Sequence, residues 1–465
     1  MTNSMRAANT FIKALGLGAS LSALLVGAAL ADTPSDLPRR GSLGIGIEAG
    51  DGGAKLRSIA PGSTAEAAGL MIGDTVTALN GIKVANQTEL VAEAGKLRAG
   101  EIARFTFVRD GKSSEASAPA RARPVEIYTA AQADYGSVPF KGGKLREILV
   151  TPQTPAPSAP VVYFVQGYYC GSVEAPTPDH PYRQFIQGLA TNGIATYRVE
   201  KPGMGDSLGG PACLDTDFDT EMAAFRAGYA ALTQTHKVDP ARIIIFGHSM
   251  GGVQAPILAA EAKTVRGVAV YGTVLRNWHD YMQDLMRLQS FYAQGADPAE
   301  TEKLAEAMRP LLNRIFMETV PLSEIAAQSP QNEALLKQVL DWDGKETILA
   351  RTVSYWRGVS NQRLAAQFQK VQAPVLAVYG EADFAAIDDR DHRLIAEVVN
   401  HYRPGSGTFV TLAKSGHGFG LEGDRAAARE ATKANGGVAP TAPYNQEVTA
   451  VVSKWILNLK DPKAG

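Results

Sequence analysis

Hydrophobic and polar positions fall into three regimes along the chain. Residues 14–30 are apolar and small, behind Arg6 and Lys13. From Gly41 to about Ala118, short apolar runs alternate with glycine-rich turns. The runs at 43–47, 76–79 and 105–108 read as strands, and Asn80-Gly81 is a hairpin turn signal. Thr88 is expected to cap a helix through Lys96, with Leu90 and Val91 on its apolar side. Residues 113–124 are small and polar and read as a linker. From about Glu126 to Lys460, strand patterns alternate with helical ones. Strands are expected at 147–150, 161–165, 195–199, 243–246, 267–271, 375–379 and 408–412. Several are unbroken apolar runs, as befits parallel strands covered on both faces. Between Tyr271 and Val375 the alternation stops, and about a hundred residues are helical in pattern. The expected fold class is therefore α/β. A mostly parallel sheet with a helical cap over 274–370 occupies residues 126–460, preceded by a small β-rich domain at 39–118.

Composition narrows the function classes. The 465 residues are 45% hydrophobic and carry a formal charge of −1, which gives no electrostatic case for nucleic-acid binding. Residues 1–31 have a basic start, an apolar stretch and Ala29-Leu30-Ala31 before Asp32, the pattern of a secretory signal peptide. No later stretch has the roughly 18 uninterrupted apolar residues of a membrane span. The expectation is a periplasmic or secreted protein with no stable membrane insertion.

The candidate chemistry is nucleophilic. Gly247-His248-Ser249-Met250-Gly251 fits G-x-S-x-G, which is weak on its own. Here an apolar strand precedes it and a helical pattern follows, the setting in which a tight turn lifts a serine hydroxyl above a sheet. A serine needs a base. Of seven histidines, His417 is the best placed, in a flexible turn directly after the strand at 408–412. His248 adjoins the serine but faces elsewhere on such a turn, so it reads as structural. An imidazole needs a carboxylate to fix its tautomer. Asp383 follows the strand at 375–379 and is the expected acid, with Glu381, Asp388 and Asp389 as nearby competitors. No histidine or cysteine spacing suggests a metal site.

Two families enter on these residues. The stretches Gly41-Ser42-Leu43-Gly44-Ile45, residues 61–70 and Ile72-Gly73-Asp74 resemble a bacterial PDZ domain of exported proteases. That resemblance implies a loop at Leu43, Gly44 and Ile45 whose N–H groups meet a peptide's terminal carboxylate, while the peptide adds a strand to the sheet edge. The other expectation for this unit is a PDZ fold that only packs or dimerises. The order Ser249, Asp383, His417, each after a strand, makes residues 126–460 resemble the α/β-hydrolase fold. The resemblance implies acyl transfer through an acyl-serine with no cofactor, and an oxyanion hole from the N–H groups of Met250 and Tyr168. Gln166-Gly167 stands where relatives show His-Gly. The turn at 201–207 resembles the family's structural G-x-G-x-S turn and is assigned no chemistry. In that sheet the strands before Cys170 and Cys213 are neighbours, so an exported chain implies a disulfide between them; two separate buried thiols are the alternative. The reading is an exported serine hydrolase of a small-molecule or polymeric carboxylic ester, with the PDZ unit taking a peptide C-terminus. A peptidase acting on peptides captured by that unit, and a non-catalytic PDZ adaptor, stay open. Residues 422–444 are not placed.

Overall fold

The structure is a computed structural model that describes residues 37–156 and 158–460. The expected signal peptide at 1–31 lies outside the described residues. Packing divides the chain after Glu126 into two units.

In the amino-terminal unit, strands Ile45–Gly50, Gly53–Ile59, Thr75–Leu79, Ile102–Arg109 and Lys112–Pro119 lie side by side in chain order. Asn80-Gly81 turns the third strand back on Ile82–Lys83, with positive φ at both residues as a two-residue hairpin turn requires. Residues 113–124 are not a linker. Most of them belong to Lys112–Pro119, an edge strand paired along Ile102–Arg109 through the Asp110-Gly111 turn. Small polar residues suit a strand whose outer face meets water. The helix begins at Gln87, not at Thr88, and ends at Ala94. Asn86 caps it by accepting from the Glu89 N–H, while Glu89 accepts from the Ala85 N–H. Leu43, Leu56, Val76, Leu79, Phe105 and Phe107 form the unit's own core.

The carboxy-terminal unit is built on eight strands: β1 (Ala131–Phe140), β2 (Gly143–Pro152), β3 (Val161–Val165), β4 (Ala195–Val199), β5 (Ile243–His248), β6 (Gly267–Tyr271), β7 (Val375–Gly380) and β8 (Gly407–Leu412). Their order across the sheet is β8-β7-β6-β5-β3-β4-β2-β1, parallel from β4 to β8 and antiparallel at β2 and β1. β3 to β7 are buried throughout. Alternate side chains serve alternate faces, as a period of two demands. Val161, Tyr163, Ile243 and Ile245 join one core; Val162, Phe164, Ile244 and Phe246 join the other. The helices α1 (Pro181–Thr191), α2 (Phe218–Ala230) and α3 (Gly251–Ala262) connect these strands. α3 runs through Pro256 without interruption. Between β6 and β7 lie seven helices from Trp278 to Lys370 and the short hairpin Thr347–Ile348/Arg351–Thr352. β1 was not evident in the sequence, because Gly136 and Pro139 interrupt its pattern; both are tolerated at a sheet edge.

Candidate active site

β5 ends at His248, and the next residue turns sharply: Ser249 has φ 57°, the left-handed region that a side chain ordinarily avoids. Gly247, Gly251 and Gly252 leave no room for a β-carbon around it, so the turn needs those glycines. The bend places the Ser249 hydroxyl at the carboxyl edge of the parallel strands.

The loops after β7 and β8 bring two further groups to the same edge. His417 Nε2 lies 3.0 Å from Ser249 Oγ, and His417 Nδ1 lies 3.0 and 2.9 Å from the two oxygens of Asp383. Asp383 is fully buried and also accepts the Ala386 N–H at 2.9 Å. Since the carboxylate can only accept, Nδ1 carries a proton and Nε2 faces the hydroxyl as an acceptor. Burial works against the imidazolium of His417, but the Asp383 charge outweighs it and holds His417 above its ordinary value. Burial likewise opposes ionisation of Asp383, and His417 with the Ala386 N–H outweighs it, so the carboxylate persists below its usual range. The competing acids have other partners. Glu381 accepts from the Lys414 N–H, Asp388 pairs with Arg276 and Arg390, and Asp389 pairs with Arg393.

His248 faces away from the hydroxyl, as expected of a structural residue. Its Nε2 lies 2.8 Å from the His417 carbonyl oxygen and its Nδ1 2.6 Å from the Tyr182 hydroxyl. The carbonyl accepts, so Nε2–H donates and Nδ1 accepts from Tyr182. Burial, aided by His417, pushes His248 down to about 3 and keeps it neutral.

Neither Met250 N–H nor Tyr168 N–H meets an acceptor among the described residues. The β3–α1 loop carrying Tyr168 presses against the serine: a β-carbon on Gly167 would stand 3.1 Å from Ser249 Cβ. Cys170, two residues beyond Tyr168, is bonded to Cys213 with a Cα–Cα distance of 5.8 Å. Tyr168 packs against Trp356, which stacks on Trp278 at 4.7 Å, and Trp278 stacks on Tyr281. The Tyr281 hydroxyl donates to the Ala385 carbonyl, just past Asp383. Trp356, Trp278 and Tyr281 are buried, and the row joins the Tyr168 loop to the loop carrying Asp383.

Four residues at the site had escaped sequence reading. A β-carbon on Gly272, at φ 62°, would meet Asp383 Oδ2 at 2.7 Å and His417 Nδ1 at 2.9 Å, so only glycine fits after β6. Lys201, from the turn given no chemistry, and Arg351 both reach the Tyr168 loop, and Glu221 pairs with the two of them. Gly272 directly follows an apolar strand, a readable signal; the three charges come from distant segments and leave none. Of residues 422–444, Arg425–Ala434 is helical, and Arg425 donates to the Tyr379 hydroxyl beside the acid loop. Glu422 carries its carboxylate against Gly416, next to His417.

In the amino-terminal unit, Leu43 is buried, Gly44 has φ 67°, and Ile45 opens the outermost strand of its sheet. Leu43 O and Gly44 O accept from Ala65 and Ala60, and Gln87 Nε2 donates to the Ile47 carbonyl on that edge strand. 

Comparison with known proteins gives two family matches. The serine aminopeptidase S33 family matches residues 180–419, a little over half of the chain, and the PDZ domain matches residues 41–119. A curated relative, a probable periplasmic serine protease do/HhoA-like of Haemophilus influenzae, is 41% identical over 63 residues, and the match spans only 14% of that protein's length. Similar solved structures include Est1E of Butyrivibrio proteoclasticus with ferulic acid bound, at 18% identity and TM-score 0.43, over 70% of this chain and 98% of that one. Proline iminopeptidase of Mycobacterium smegmatis is 15% identical with TM-score 0.41, over 70% of this chain and 98% of that one. With a strand–turn–helix serine, a late acid and a later histidine on a sheet of this order, the chain belongs to the serine aminopeptidase S33 family of α/β-hydrolase-fold serine hydrolases and carries a PDZ domain ahead of it.

Proposed function

We propose that this serine hydrolase cleaves a carboxylic ester through an acyl-Ser249 intermediate. The observation that carries the reading is the 3.0 Å contact between His417 Nε2 and Ser249 Oγ, backed by Asp383 on the other ring nitrogen. In this scheme His417 takes the Ser249 proton as Oγ attacks the ester carbonyl. The N–H groups of Met250 and Tyr168 receive the oxyanion. The imidazolium then protonates the leaving alkoxide. The ring, neutral again, next accepts a proton from the water that attacks the acyl-Ser249 carbonyl and gives it to Ser249 Oγ as the bond to the acyl group breaks, and Asp383 stabilises each charged imidazole in turn.

The substrate is a small-molecule or polymeric ester, and the loop at Leu43, Gly44 and Ile45 takes a peptide C-terminus. Export to the periplasm or beyond is supported by the sequence of residues 1–31 and by the Cys170–Cys213 bridge. Among the described residues no helix is long and apolar enough to cross a membrane.

A second reading, a peptidase, is favoured by the family match and by the PDZ domain. Amide cleavage must protonate a poorer leaving group, and no further acid is assigned to that task. A short acyl nitrophenyl ester and a peptide anilide, offered to wild type and Ser249→Ala, separate the readings. The expected result is ester turnover by wild type and a loss of at least about 10³-fold in Ser249→Ala. Activity surviving Ser249→Ala would sink the site assignment, anilide turnover exceeding ester turnover would install the peptidase, and absence of fluorophosphonate labelling would leave the adaptor.

A further inference from the structure

Lys201, Glu221 and Arg351 form an ionic cluster with no solvent exposure at any of the three side chains. Lys201 follows β4 by two residues, Glu221 stands in α2, and Arg351 comes from the hairpin between the helices inserted after β6. Glu221 is filled: one oxygen accepts Lys201 at 3.2 Å and Arg351 at 2.8 Å, the other accepts Gln254 and Tyr355. Arg351 also donates to the Tyr168 carbonyl oxygen at 2.7 Å. An ammonium has three protons to give. Beyond Glu221, those of Lys201 go to the carbonyl oxygens of Gly167 and, at 3.4 Å, Tyr169. Burying two cations is costly, and a core of apolar residues would fill the space at least as well. What this cluster touches is therefore informative: three consecutive carbonyls of one loop, the loop that abuts Ser249.

A trans peptide unit is planar, with its C=O and N–H pointing in opposite directions. The Gly167 carbonyl and the Tyr168 N–H belong to the same unit, so whatever holds one sets the direction of the other. We propose that Lys201 is a positioning residue for the oxyanion hole: by gripping the Gly167 carbonyl from behind it aims the Tyr168 N–H, which meets no acceptor among the described residues, at the substrate's carbonyl oxygen as Ser249 attacks. Glu221 and Arg351 hold the ammonium in place, and Arg351 fixes the next peptide unit. This inference rests on Ser249 being the nucleophile.

The test compares wild type, Lys201→Met, Lys201→Gln and Ser249→Ala on p-nitrophenyl acetate, with active sites counted by fluorophosphonate labelling. Lys201→Met leaves Arg351 and Glu221 as a balanced pair. Its kcat per labelled site is expected to fall roughly 10²-fold, with KM changed less than about threefold. A trifluoromethyl ketone, which forms the tetrahedral adduct, should bind weaker by the same factor as kcat/KM. Lys201→Gln keeps a donor one bond shorter and should lose about tenfold. A kcat within threefold of wild type overturns the proposal, as does a rise in KM alone or inhibitor binding that does not follow kcat/KM. If Lys201→Met fails to accumulate, Lys201→Gln decides by the same criteria. Ser249→Ala separates the two failures: if it retains activity the site assignment falls, whereas an inactive Ser249→Ala beside a fully active Lys201 variant removes only this inference.

Discussion

At the scale of single residues, the site is governed by how little space surrounds it. Gly167 lies so close to Ser249 that a methyl group there would sit 3.1 Å from its Cβ and 3.4 Å from Oγ, crowding the proposed nucleophile. Gly167→Ala is expected to lower kcat/KM by roughly tenfold or more, while the thermal unfolding midpoint stays near that of wild type. Charge is as confined as volume. The proposed base, His417, must be neutral to act, and Asp383 holds it above the ordinary 6.5, so activity should rise with pH through a value above that mark. Burial, reinforced by Asp383, pushes Glu422 up to about 7, and its charge also favours the imidazolium. Glu422→Gln removes that support; the acid limb of a kcat/KM profile should therefore move to lower pH, and an unmoved limb would show that the two groups do not communicate. Ser249, Asp383 and His417 were legible because each lies within five residues of the end of a strand of one parallel sheet, so the sheet itself assigns them to one edge. Lys201, Glu221 and Arg351 were not. Nothing local marks them as partners, since their pairing depends on a hairpin that returns 130 residues after Glu221.

Elements show a similar division between what patterning reveals and what it conceals. β3, β5, β6 and β7 read clearly because burial on both faces makes them nearly unbroken apolar runs, and β4 keeps that character although it buries Thr196 and Arg198. The edge strands β1 and Lys112–Pro119 were obscured, because one side of an edge meets water and tolerates Gly, Pro and Ser. The helices between β6 and β7 were legible as a group, but their contact with the Tyr168 loop through Trp356 and Arg351 was not. The same loop is tied by the disulfide, whose partners lie 43 residues apart. Closing a loop of that length limits the unfolded chain by up to about 4 kcal/mol. Replacing both cysteines by alanine should cost roughly 2–4 kcal/mol in urea unfolding and reduce kcat more than KM, since it frees the segment that carries Tyr168. A double variant as stable as wild type would show that the bridge adds nothing to the fold.

For the whole molecule, the informative fact is that each unit has its own buried core. Phe105, 1% exposed, anchors the amino-terminal one. Phe105→Ala should destabilise that unit by about 3–5 kcal/mol, visible by calorimetry as an earlier transition. Turnover of a small ester, which has no use for a peptide groove, is expected to persist. The division into two units was evident from sequence because strands begin to alternate with helices at about Glu126, where packing also divides the chain; the edge strand Lys112–Pro119 was not, because edge strand and linker share a composition. Strand order has one more outcome. β8 closes the sheet, and the proposed base stands beyond it, after the serine by 168 positions. During synthesis the Ser249 hydroxyl therefore emerges long before the imidazole proposed to activate it, and the growing polypeptide cannot complete the proposed site until its last strand is laid down.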